Sequence, residues 1–314
     1  MSDHVHVVLA TDNTYAPWAG VLISSILDTR PDGAMEFHLV EQGVSTDNRE
    51  RINALGAGRL DVSIHWYTPD PCAFSSFPIK RYGIASYYRL SIASILPASV
   101  KRVIYLDCDV LATTDIGDLL DDHDPAHMLA AVENIGGPTS QLCKPGRYFN
   151  SGVLVINLEA WRARRCEEKL LDLMREQGDT FEYPDQDALN VLFHGEWQRL
   201  PLRWNVQPGV WSRYEKKRFS KTGYDADSFE AAVKRPGLVH FLAKKKPWVF
   251  GCFHPFRKLW LSYLDDSSWR SLKPQPESIW GRAVHYMNVA SHAKEMRRAR
   301  YLSQQSSSGC VRAP

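Results

Sequence analysis

The stretch VIYLDCDVLATTDIGDLL, residues 103–120, decides the fold. An apolar run climbs to Leu106 and then delivers two carboxylates, Asp107 and Asp109, one residue apart, with Asp115 and Asp118 close behind. A single aspartate at a strand end is ordinarily a turn former or a helix cap. Two of them flanking one residue ask for more. Side chains one residue apart on an extended strand point to opposite faces, so the backbone must bend if the pair is to act together. Like charges held close also destabilise the fold unless protons or a cation intervene. A hard divalent cation with oxygen ligands, Mn²⁺ or Mg²⁺, relieves that conflict.

Working outward, HVHVVLA (4–10), MEFHLVEQ (35–42), DVSIHWYTP (61–69) and KRVIYLDCDV (101–110) read as strands. Between them APWAGVLISSILDT (16–29), STDNRERINALGA (45–57) and ASYYRLSIASILP (85–97) read as helices. The first carries an apolar stripe through Trp18, Leu22, Ser25 and Ile26; the second has Ser45 or Thr46 as cap; the third is closed by Pro97. This alternation predicts an α/β fold, a mostly parallel sheet of Rossmann-like character flanked by helices. Ligands of such sheets sit beyond the carboxyl ends of the strands. Both the ATD turn (10–12) and the DCD motif fall there. Further strands are expected at 127–134, 152–158 and 237–243, and helices at 159–177 and 185–194.

The 314 residues suffice for one large α/β domain and a tail. A net charge of +2 gives no whole-molecule signature of nucleic-acid binding. The basic segments RYEKKRFSK (213–221), KKK (244–246) and KEMRRAR (294–300) all lie in the C-terminal half. Six scattered cysteines with no CxxC pair argue for reduced thiols rather than a disulfide framework or a zinc site. The N-terminus MSDHVHVVLATD lacks the features of a signal peptide, and no apolar run approaches the roughly 20 residues of a membrane span.

A strand followed by DxD also opens the aspartyl-phosphate phosphatases, and GDLLDD (117–122) matches the spacing of their metal loop. There the second motif ends a different strand, whereas here it follows within a few residues, and several strand–helix units precede it. The stronger match lies elsewhere. ATDNTYAPW (10–18), ASYYRL (85–90), YLDCDVL (105–111), YFNSGVLVINLEAW (148–161), DQDALN (185–190) and HFLAKKKPW (240–248) occur in order over about 240 residues. On these motifs the chain resembles the family 8 retaining glycosyltransferases, the bacterial lipopolysaccharide α-galactosyl- and α-glucosyltransferases related to glycogenin.

The resemblance implies a GT-A type catalytic domain over residues 1–262; the remaining 263–314 reads as a basic, amphipathic, helical tail, and its polar end LSQQSSSGCVRAP (302–314), low in apolar residues, is expected to be disordered. It implies Asp107, Asp109 and His240 as ligands of Mn²⁺ or Mg²⁺. Ala10, Thr11, Asp12 and Thr14 would surround the uridine of a UDP-galactose or UDP-glucose donor, with Cys108 beside them. Arg89 and Lys246 would face the diphosphate, as suits a bidentate guanidinium and an ammonium. The family pattern HxxGxxKPW has a glycine where this chain has Ala243, which departs from the family loop. Asn134, with Glu133 as fallback, and Asn150, Ser151, Asp185 and Gln186 would read the sugar. Retention ordinarily needs a carboxylate nucleophile, and the family places Gln186 there. An amide is a poor nucleophile, so the resemblance favours a front-face reaction, with Asp187 as the alternative, covalent nucleophile.

The implied partners are the sugar nucleotide and a saccharide or lipid-linked saccharide acceptor, with no nucleic acid. Two other functions fit the same motifs: a self-glucosylating protein of the glycogenin type, and a non-catalytic nucleotide-sugar binder. In SIWGRAVHYMNVASH (278–292), Ile279, Trp280, Ala283, Val284, Met287 and Ala290 share one helical face, and AKEMRRAR (293–300) follows as a basic cluster. The segment reads either as a helix packed on the catalytic domain or as an anchor on an anionic membrane surface. The second reading puts a cytoplasmic protein on the inner face of the cytoplasmic membrane.

Overall fold

A computed structural model describes residues 4–78, 83–135, 147–242 and 246–272. The strands are β1 (Val5–Asp12), β2 (Met35–Gln42), β3 (Val62–Tyr67), β4 (Arg102–Leu106), β5 (Val110–Ala112), β6 (Leu129–Glu133), β7 (Phe149–Asn157), β8 (Gln198–Arg199) and β9 (Leu238–His240). The α-helices are α1 (Ala16–Thr29), α2 (Thr46–Asn53), α3 (Ile92–Ile95), α4 (Gly117–Asp121), α5 (Leu158–Ala163), α6 (Cys166–Gln177), α7 (Pro184–Leu192), α8 (Pro208–Glu215), α9 (Ala226–Lys234) and α10 (Arg257–Asp265). Seven strands form one sheet in the order β3-β2-β1-β4-β7-β6-β8, and within it β7 alone runs against the rest. The expected mostly parallel α/β sheet is therefore present.

Both faces of the sheet are covered, which is why its central strands read as continuous apolar runs. Val7, Leu9, Phe37, Leu39, Ile104 and Leu106 face one core with α1, while Val8, Val40, Val103, Tyr105, Leu154 and Ile156 face a second with α6 and α7. Ser45 caps α2 as expected, its side chain accepting from Asn48 N–H at 3.2 Å.

Three elements depart from expectation, and the first two of these departures shape the cavity walls. The strand expected over 101–110 stops at Leu106 and resumes as β5, which leaves the sheet to pair antiparallel with β9. Asp107 to Asp109 form the turn between them, closed by Val110 N–H donating to Asp107 O at 3.2 Å. This is the bend that the paired charges require. The helix expected over 85–97 is a 3₁₀ helix, Ile84–Ser91, followed by α3. Three residues per turn eclipse i and i+3, which puts Ser86 and Arg89 on one side; Tyr87, Tyr88 and Leu90 are buried. The helix expected over 159–177 breaks into α5 and α6 at Arg165, whose φ of 53° lies in the left-handed region. No glycine or proline marks that break.

Helix α10 crosses residue 262, and its Tyr263 hydroxyl donates to Asp28 of α1 at 2.8 Å. Trp269 then lies over Gly20 of α1, where a Cβ would come within 2.3 Å of its ring. The segment 278–300 lies outside the described residues. Among the described residues no helix is long and apolar enough to cross a membrane.

Candidate active site

A cavity of about 350 Å³ opens at the carboxyl ends of β1 and β4. Because β7 runs the other way, its first residues, Asn150 to Gly152, arrive at this same edge. The first helical turn of α7 and the chain leaving β9 complete the walls. Ala10, Thr11, Asp12, Arg89, Asp107, Cys108, Asp109, Asn134, Asn150, Ser151, Asp185, Gln186, His240 and Lys246 all line it. Residues from six separate motifs thus converge on one space. Thr14, Glu133 and Asp187 stand outside that lining, and Ala243 lies outside the described residues.

The two aspartates divide their oxygens. Asp107 Oδ1 accepts from Arg89 Nη2 at 2.8 Å and from the Tyr105 hydroxyl at 3.0 Å, while Oδ2 lies 3.9 Å from His240 Nε2. Asp109 Oδ1 lies 3.1 Å from His240 Nε2, and its Oδ2 accepts from the Lys246 ammonium. Burial would raise the Asp109 carboxyl, but Lys246 and His240 overcome it and hold the group below the usual carboxylate range.

One donor atom from each of Asp107, Asp109 and His240 lies within 4.8 Å of the others. Two carboxylates and an imidazole suit Mn²⁺ or Mg²⁺. Gly152 lets two of these ligands close on the backbone: a Cβ there would fall 2.2 Å from His240 Cε1 and 2.6 Å from Asp107 Oδ2. The residues present fit the cation.

Hydrogen bonds also assign the tautomer of His240. Gly152 N–H donates to Asn150 Oδ1 at 3.1 Å, which fixes that oxygen as an acceptor. Asn205 must therefore turn its amide nitrogen toward it, at 2.8 Å, and present its own Oδ1 to His240 Nδ1 at 3.0 Å. Nδ1 therefore carries a proton directed at Asn205, and Nε2 is the nitrogen presented to the aspartates, donating to Asp109 here and free to ligate a cation once it gives up that proton. An orienting partner on the far nitrogen is the usual support of a metal-binding histidine.

Arg89 is not simply a cation facing the cavity. Its Nη1 donates to Ser151 O and Oγ, both at 2.9 Å, its Nη2 to Asp107, and its Nε to Ser86 O at 3.0 Å, with Asp185 Oδ2 at 3.2 Å. The guanidinium lies over the Tyr105 ring, 4.7 Å from its centroid. It binds the DxD turn to β7 and α7. Burial pushes the Asp185 carboxyl up, and Arg89 works in the opposite direction.

Gln186 and Asp187 are adjacent in sequence but differently placed. Gln186 Oε1 accepts from Asn150 Nδ2 and Ser151 N–H, each at 3.1 Å, and its Nε2 donates to the Tyr148 hydroxyl at 3.0 Å. Asp187 is fully buried; it accepts from the Tyr148 hydroxyl and from the N–H groups of Glu182 and Tyr183, both at 2.9 Å. Glu133 accepts from Gly223 N–H at 2.7 Å, away from the cavity. Asp12 Oδ1 accepts from Thr14 N–H at 2.8 Å and Tyr15 N–H at 2.9 Å, so it caps the turn into α1 while lining the cavity. The Cys108 thiol is pushed well up by burial beside Asp107, and donates to Ala10 O at 3.3 Å.

Sequence reasoning missed Asn205, Tyr105 and Tyr15. Tyr15 lines the cavity with its ring edge-on to Trp248, and burial beside Asp109 pushes its phenol up to about 12. It lies inside the quoted motif ATDNTYAPW, which could have found it. Nothing in RWNV (203–206) points to Asn205.

A mostly parallel α/β sheet thus gathers paired aspartates and a histidine at its carboxyl edge, and comparison with known proteins identifies the class of protein that carries them. The family model for glycosyl transferase family 8 matches residues 6–251, and the chain belongs to that family. Similar proteins include general stress protein A of Bacillus subtilis, 28% identical over 85% of this chain and 96% of that protein. The lipopolysaccharide 1,2-glucosyltransferase of Escherichia coli K12 is 27% identical over 87% of this chain and 81% of its own length. Among solved structures, the galactosyltransferase LgtC with donor and acceptor sugar analogs superposes with a TM-score of 0.73 and 26% identity, covering 85% of this chain and 99% of that one. The fold is that of LgtC, a GT-A fold.

Proposed function

We propose that the protein transfers a hexosyl group, galactose or glucose, from a UDP-sugar to a saccharide hydroxyl with retention at the anomeric carbon. The convergence of Asp107, Asp109 and His240, packed against the bare backbone of Gly152, carries this reading. Those three side chains would hold Mn²⁺ or Mg²⁺, which supplies Lewis-acid neutralisation of the leaving diphosphate. Lys246 adds a second positive charge at the same edge, and Arg89 holds Asp107 by Oδ1, which would leave Oδ2 on the His240 side to ligate the cation. Asp12, Thr11 and Tyr15 suit the nucleoside end of the cavity; Asn134, Asn150, Ser151 and Asp185 suit sugar hydroxyls.

The neighbours of Gln186 favour a front-face reaction over a covalent one. Its amide oxygen already accepts from two donors, and Asp187 has both oxygens engaged outside the cavity. In this reading Gln186 holds the sugar-facing wall, and the departing diphosphate takes the acceptor proton. A solved active-site glutamine-to-glutamate mutant of LgtC, 26% identical to this chain, places a glutamine in the active site of that protein. The relatives that act on lipopolysaccharide suggest a lipid-linked saccharide acceptor, met in the cytoplasm at the inner membrane face with the basic tail against anionic lipid.

The test incubates the full chain with UDP-galactose or UDP-glucose and defined lipooligosaccharide acceptors, with and without Mn²⁺. Proton NMR of the product should show an α-linked hexose formed only with metal. Intact mass of the protein should stay constant; added hexose units would instead mark self-glucosylation. No UDP release under any condition would reduce the protein to a binder.

A further inference from the structure

Toward the other end of the parallel strands, roughly 13 Å from the cavity by the rise of β1 between His6 and Ala10, four histidines surround one glutamate. In the register of β1, β2 and β3, His6 pairs with Glu36 and His38 pairs with His65, and residues two apart on a strand share a face. His6 Nδ1 lies 3.1 Å from His38 Nε2 and 3.6 Å from Glu36 Oε2. His65 Nε2 lies 3.4 Å from the same Glu36 oxygen, and His4 Nδ1 lies 2.9 Å from Oε1.

We propose that His6, Glu36 and His38 form a second metal site, for a borderline divalent ion of the Zn²⁺ class, distinct from the Asp107–Asp109–His240 site. Each of the three offers one donor atom within 4.8 Å of the other two. Bonds of about 2.0–2.1 Å in a tetrahedron put its donors about 3.3 Å apart. The separations of 3.1 and 3.6 Å bracket that edge. His38 Nδ1 lies 3.1 Å from the Tyr67 hydroxyl, the kind of outer partner that orients a ligating imidazole. His65 Nε2 is shielded from solvent and has no hydrogen-bond partner among the described residues, although it points at Glu36. A fourth ligand is thus at hand, either His65 after a small rotation or water.

The donor sets separate the two sites. Imidazole-rich ligation favours Zn²⁺, Cu²⁺ or Ni²⁺, whereas carboxylate-rich ligation suits Mn²⁺ or Mg²⁺. The cluster's residues come from neighbouring strands, β1, β2 and β3, and the ion would brace that open edge of the sheet.

The experiment uses the full chain stripped with EDTA and equilibrium dialysis against Zn²⁺. His6→Gln should bind one equivalent fewer than wild type, and the same difference should persist when Asp109→Asn is present in both proteins. Glu36→Gln repeats the test in case the first variant does not fold. On wild-type protein, Cu²⁺ electron paramagnetic resonance should show coupling to at least two imidazole nitrogens, lost in either variant. Sugar transfer with Mn²⁺ should survive His6→Gln. Equal zinc stoichiometry in wild type and a folded variant overturns the site. If neither variant folds, a Cu²⁺ spectrum of Asp109→Asn protein without two nitrogen couplings overturns it.

Discussion

Asn205 Oδ1 lies 3.0 Å from His240 Nδ1, and both side chains are fully buried. One amide therefore decides which imidazole nitrogen is offered to the aspartates. Replacing it with alanine leaves the ring free to turn. Asn205→Ala should weaken Mn²⁺ binding about 10- to 100-fold, the usual effect of losing an outer-shell partner. Titration calorimetry with Mn²⁺ and no sugar nucleotide reads this directly. Unchanged affinity would reject the orienting role.

Gly152→Ala should remove metal binding and transfer together. The added methyl group would overlap His240 Cε1 and Asp107 Oδ2. Far-ultraviolet circular dichroism and a thermal melt check that the protein still folds. Wild-type Mn²⁺ affinity in the variant would show that the pocket has another shape.

Asp107→Asn or Asp109→Asn should abolish transfer even at saturating Mn²⁺. Repulsion between two bare carboxylates would suggest a more stable metal-free protein once one is neutralised. The contacts point the other way for Asp109, since its neutralisation removes the counter-charge of the Lys246 ammonium and leaves it the Phe241 carbonyl. A buried charge that loses its partner is destabilising, so metal-free Asp109→Asn should melt below wild type.

Gln186→Ala should lower kcat by roughly tens-fold, on the order of 1.5–3 kcal/mol, without eliminating turnover. Asp187→Asn should act first on stability, because three donors converge on that carboxylate. Urea unfolding and steady-state kinetics separate the two. Rescue of a dead Gln186→Ala enzyme by added azide would instead reveal a covalent path.

Burial, with His6 and His65 nearby, lowers the His38 pKa from about 6.5 to about 4. Between those values the unfolded chain takes up a proton that the folded chain refuses. Stability of the metal-free protein should therefore fall as pH drops from about 6.5 toward 4, by at most about 1.4 kcal/mol per pH unit for this group. His38→Leu should flatten that part of the profile in urea titrations.

The sheet and the paired aspartates were legible because they are written locally. Apolar runs of strand length end in polar turns, and a DxD at such an end contradicts its surroundings. The family motifs added Asn150, Gln186 and His240, which no periodicity would single out. Illegible were features set by distant partners. Arg89 looked like a phosphate-facing cation, yet its donors go to Asp107, Ser151, Ser86 and Asp185, residues scattered along the chain. The left-handed turn at Arg165 carries no glycine, and the 3₁₀ form of Ile84–Ser91 answers to packing rather than propensity. His6, His38 and His65 each read as an ordinary strand residue until the register aligned them.

The Lys246 ammonium holds one oxygen of Asp109 while the other faces His240, so an arriving metal ion and the lysine would share the charge of a single carboxylate. Entry of the ion would loosen the lysine from its resting partner and leave its charge available to an incoming diphosphate. Two ligands of opposite sign would then be thermodynamically linked through a single side chain. Each should tighten the other by the same factor, whichever is added first. On the proposed function, such a site would hold a sugar nucleotide weakly until the metal is in place, and titrations run in both orders should return one common coupling constant.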